Sequence, residues 1–98
     1  MINMKTIDVY TAATIHSICA RVILLGNKLT SKGVKDVAVG FSWSSASNCF
    51  DIQLSKWDGD DCISSESQLW YVTEKFKEYS REDIYKALEE WEKTYGLE

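Results

Sequence analysis

The sequence predicts an α+β domain: an N-terminal helix, an antiparallel β-hairpin, and a C-terminal helix or helix pair. Three patterns predict it. Ile15, Ile18, Cys19, Val22, Leu25 and Leu29 recur at three- and four-residue spacing, the stripe of a helix with one buried face. From Val37 to Leu54 the period changes to two, as strands require. Ile84, Leu88, Trp91 and Tyr95 then return to helical spacing. A chain of 98 residues, 45% hydrophobic and without low-complexity runs, reads as a single compact domain over 1–98. Leu97 and Glu98 carry no weight, since such a pair also arises as a cloning remnant.

The first helix is expected to start between Asp8 and Thr11 and to run to about Ser31. Gly33 is a left-handed stop, and Lys28 and Lys32 suit the negative end of the helix dipole. Gly26 weakens the pattern locally, and a short strand through Ile7 precedes it. In the hairpin, Val37, Val39, Phe41 and Trp43 share one side, with Ala38, Gly40 and Ser42 on the other. Phe50, Ile52 and Leu54 oppose Asp51, Gln53 and Ser55 in the same way. Setting Phe41 against Phe50 and Val39 against Ile52 keeps the faces matched and leaves Ser44 to Ser47 as the loop. A six-residue loop with Phe41 opposite Ile52 keeps them matched equally well.

Trp57 to Ser65 reads as a polar connection. Residues 68–73 fit a third strand through Trp70, Tyr71, Val72 and Thr73. The preferred reading is a helix, with Leu69, Val72, Phe76 and Tyr79 as its stripe and capping-box spacing between Ser65 and Gln68. The last helix opens with a second capping box, Ser80 with Asp83, and closes at Gly96. Glu82, Lys86, Glu89, Glu90 and Lys93 form its solvated side.

Composition narrows the function classes. No uninterrupted apolar run approaches the ~20 residues that cross a bilayer, the densest being Val22 to Leu25. No secretory leader pattern is visible, and three widely spaced cysteines form no disulfide framework. A cytoplasmic protein with reduced thiols and no membrane association is the expectation. The net charge of −4 argues against direct nucleic-acid binding, which needs a basic surface.

Four residues could form a metal site: His16, Cys19, Cys49 and Cys62. One imidazole and three thiolates suit tetrahedral zinc, but structural sites draw ligands in close pairs, and Cys49 and Cys62 are isolated. The plainer reading is one core, one hairpin and one loop cysteine, with no metal or cofactor. Cys62 as a nucleophile paired with His16 meets a similar objection, because Asp58, Asp60 and Asp61 oppose the charge of a thiolate. The same aspartates fail as a calcium loop, whose fifth and twelfth positions fall on Cys62 and Leu69. No catalytic residues are assigned.

An aromatic anchor ringed by polar groups is instead an interface composition. Asp51, Gln53, Trp57, Asp58, Asp60, Asp61 and Glu66 are therefore the candidate partner-binding residues. They predict a non-enzymatic inhibitor or adaptor offering an acidic surface to a basic, nucleic-acid-binding protein, in the manner of small immunity or phage counter-defence proteins. A small-molecule binder or small enzyme with a pocket between helices and sheet is the alternative. A homodimer formed through exposed hairpin edges is a third.

Overall fold

The computed structural model describes residues 6–73 and 79–95. The fold is α+β, with helix α1 (Val9–Ser31), strands β1 (Val37–Ser44), β2 (Cys49–Asp58) and β3 (Asp61–Tyr71), and helix α2 (Arg81–Thr94). The strands form one antiparallel sheet in the order β1-β2-β3.

α1 begins where the sequence places it. Asp8 is the N-cap, its carboxylate accepting the Thr11 backbone N–H at 2.7 Å. That bond, with smaller help from the Thr11 side chain and the Tyr10 backbone, holds the Asp8 carboxyl below its ordinary range. A carboxyl lowered in the folded state contributes stability above its unfolded pKa and loses it as pH falls through the folded one. Thermal melts below pH 4 should therefore decline less steeply for Asp8→Asn, which keeps a neutral cap, than for the native chain. Equal slopes would remove the charge from the cap. At the other end Gly33 takes a φ of 78° and donates its N–H to the Thr30 carbonyl, giving the left-handed exit that favours glycine.

Both helices lie on one side of the sheet, α1 over β1 and α2 over β3. Phe50, Ile52 and Leu54 point into that side from the central strand and are buried against Ile18, Val22, Leu25 and Leu29 of α1 and Ile84, Leu88 and Trp91 of α2. Gly26 is explained by this packing. A Cβ there would meet the Val39 side chain at 3.3 Å, so glycine lets α1 lie close on β1. α2 has the Ser80–Asp83 capping box, and its charged side is exposed as expected. Gly96 and Phe76 lie outside the described residues.

Three expectations are corrected. The hairpin takes the longer register, with Phe41 opposite Ile52, Trp43 opposite Phe50 and Ser44 opposite Cys49. Asn48 makes this turn possible by adopting a positive φ of 49°, a conformation asparagine tolerates better than most residues. Trp57 to Ser65 is not a loop. β2 runs on to Asp58, turns through Gly59 and Asp60, and returns as β3. Gly59, at φ 61°, supplies the positive φ that a two-residue hairpin turn needs at its first central position. Leu69 and Tyr71 thus belong to a strand rather than a helix, because β3 satisfies the backbone groups along the free side of β2. Finally, Thr6 to Asp8 form no strand; Ile7 packs against the core without pairing.

Candidate functional site

Among the described residues, no helix covers the other side of the sheet. By register it presents Ala38, Gly40, Ser42 and Ser44 from β1, Cys49, Asp51, Gln53 and Ser55 from β2, and Ser65, Ser67, Leu69 and Tyr71 from β3. Away from Tyr71, which packs edge-on against Tyr79, the floor is mostly of small side chains, and the strand positions that face it include Asp51 but no Lys or Arg. Asp51 is held from both sides. Ser42 Oγ donates to one carboxylate oxygen, and Gln53 Nε2 donates to the other at 2.8 Å. The carboxylate is therefore pre-oriented in the middle of the face.

Trp57 stands at the end of this floor, 40% exposed. A bulge between Lys56 and Trp57 shifts its pairing to Cys62, and its backbone N–H reaches the Asp36 carbonyl at 2.8 Å. Asp58, Asp60 and Asp61 form the turn just beyond, all exposed. The turn is some 20 Å along the strand from Asp51, so the two acidic groups act on different parts of a partner.

Glu66 does not belong with them. It pairs with Leu54 across the ladder, on the helix-bearing side, and accepts the Trp91 indole N–H at 2.8 Å. Its role is to seat α2. A loop over residues 57–65 groups Glu66 with the aspartates; the β2–β3 hairpin separates them.

The suggested metal ligands are dispersed. His16 and Cys19 share the side of α1 nearest β1, whereas Cys49 and Cys62 lie near opposite ends of the β2–β3 ladder. Among the described residues no group of three or more His, Cys, Asp or Glu side chains comes together. Burial pushes the Cys19 thiol up, and burial with the nearby Asp51 charge pushes Cys49 up, so neither is poised as a thiolate.

An open groove of about 540 Å³ lies between the first half of α1 and the tip of β1, where the alternative reading expects a pocket between helices and sheet, although the sequence assigns none of its lining residues to such a pocket. Ile15, His16, Cys19, Phe41, Trp43 and Phe50 line it. Alternation correctly assigns Phe41 and Trp43 to the core side, yet both remain about 40% exposed because α1 does not cover the hairpin tip. Nothing in a period-two pattern tells how far along a strand its covering helix extends.

α1 also departs from expectation. Its 23 residues are long and apolar enough to cross a bilayer by length and composition, which counting uninterrupted apolar runs does not register. Five of its side chains nonetheless build the core beneath it. No protein-family model, curated protein or solved structure matches this chain.

Proposed function

We propose that this protein is a non-enzymatic binding module, of inhibitor or adaptor type, that presents the uncovered sheet face and its acidic turn to a basic protein partner. The observation that carries the reading is the floor itself: a surface of mostly small residues with a pre-oriented Asp51 and, among its described strand positions, no Lys or Arg, ending in Trp57 and three exposed aspartates. An exposed tryptophan supplies contact area, and the carboxylates select a basic surface and speed its encounter. Nucleic-acid-binding proteins carry such surfaces, and an acidic module of this size would occupy the place of a phosphate backbone.

Neutralising the turn with Asp58→Asn, Asp60→Asn and Asp61→Asn together tests this. Retention of a basic partner should fall at least tenfold at low salt, while the melting temperature barely changes because all three side chains are exposed. Unchanged retention would take the turn out of the interface.

A second reading rests on the groove, whose volume and apolar lining suit a small hydrophobic molecule with His16 as its polar contact. Native mass spectrometry of the purified protein distinguishes the two. A stoichiometric small ligand, lost on Phe41→Asp, would favour the groove.

A further inference from the structure

We propose that the basic partner of the sheet face inserts an arginine side chain that lies across Gly40 and closes a two-pronged ion pair with Asp51. The proposal rests on the sheet-face reading and names the group that the face selects. Glycine weakens a strand interior, and there it marks a bulge, a sharp bend or the close approach of another molecule. The first two do not apply to Gly40. The β1–β2 ladder runs through it without a shift, pairing it with Gln53, and the positive φ values among the described glycines belong to Gly33 and Gly59. Nor does close packing require it, as it does at Gly26. A Cβ on Gly40 would meet nothing within 4 Å among the described residues. The position is a notch in the floor that the packing of the fold does not explain.

Asp51 supplies the chemistry beside it. Asp51 pairs with Ser42, which makes it a diagonal neighbour of Gly40 on the same side of the sheet, roughly 7–8 Å away. That span suits the reach of an arginine stem. The Asp51 carboxylate accepts Ser42 Oγ on one oxygen and, at 2.8 Å, Gln53 Nε2 on the other. A carboxylate has about four acceptor sites, so each oxygen keeps a further one, side by side and fixed in orientation. A guanidinium fork fills both with parallel N–H bonds, whereas an ammonium meets them as a point charge. Charge complementarity points the same way, because the strand positions on this side carry Asp51 and no Lys or Arg to take the arginine's place. Asp51 is also half-buried, so its pair is screened by salt less than one made by the exposed aspartates of the turn. The turn adds general attraction, and the notch adds choice between two cations of equal charge.

Fluorescence anisotropy at low salt, with labelled hexa-arginine and hexa-lysine peptides, tests the proposal. The native chain should bind hexa-arginine about tenfold more tightly, the worth of one further charge-assisted hydrogen bond. Gly40→Val fills the notch without changing charge and should bring the two affinities to within about twofold. The same change should raise the melting temperature by up to about 4–8 °C, since valine is the better strand residue. Asp51→Asn should likewise erase the preference. Asp58→Asn, Asp60→Asn and Asp61→Asn together should weaken both peptides alike and leave their ratio unchanged. Equal affinities for the native chain, a preference that survives Gly40→Val, or a melting temperature lowered by that change would each overturn the proposal. The acidic-surface reading would outlive that result so long as the turn variant still weakens both peptides. Failure of both peptides to bind the native chain would take down the two together.

Discussion

Replacing Phe50 with alanine is expected to cost about 3–5 kcal/mol, a large share of the roughly 5–15 kcal/mol available to a single domain. Phe50 is fully buried in the central strand, between Trp43 on β1 and Trp70 on β3 in the register. Its ring also lies 6.5 Å from that of Phe41 and forms a wall of the groove. The groove gives Trp43 room to move into the vacated space, so the loss should fall nearer ~3 kcal/mol than the upper value. Urea unfolding checks this, with a lower midpoint and an unchanged slope expected. A loss under ~1 kcal/mol would mean that the hairpin tip is not tied to the core.

The second large effect concerns the seat of α2. Trp91 is 5% exposed, packs in the core and donates to Glu66. Trp91→Ala should cost about 3–5 kcal/mol through lost packing, whereas Trp91→Phe keeps most of that contact and should cost about 1–2 kcal/mol. The companion change at Glu66 separates packing from hydrogen bonding. Glu66→Leu strands the indole N–H and should lose about 1 kcal/mol, because this strand residue is exposed; Glu66→Gln, still an acceptor, should lose less. These differences read directly in melting temperature, where ~1 kcal/mol corresponds to about 4–8 °C for a domain of this size. If Glu66→Leu left stability intact but abolished partner binding, Glu66 would return to the interface.

What the sequence made legible follows from periodicity. The start of α1 was legible to the window Asp8–Thr11, which contains its first residue Val9, and that of α2 more sharply, because the Ser80–Asp83 capping box stands just before its buried stripe. The faces of β1 and β2 were equally clear. Their register was not, since a shift of two residues preserves both faces and only the turn decides between them. β3 escaped because it is an edge strand with one side to solvent. Its serines, Ser64, Ser65 and Ser67, therefore alternate with nothing apolar, and only Trp70 reaches the core. A loop over that segment groups Glu66 with the aspartates, whereas the strand sets it on the helix-bearing side. The outward apolar side of α1 was hidden for another reason: a helix apolar on two sides still shows a regular stripe on one of them.

On the proposed reading, function belongs to the sheet side that no described helix covers, whereas the helix-bearing side carries the core and, at the hairpin tip, the groove. NMR chemical-shift mapping of the ¹⁵N-labelled protein with a captured basic partner puts that division to the test. The account predicts shifts at Gly40, Ser42, Asp51, Gln53 and Ser67, at the Trp57 indole and across Asp58 to Asp61, fading as salt rises. Shifts confined to His16, Phe41 and Trp43 around the groove, with the sheet face silent, would contradict it.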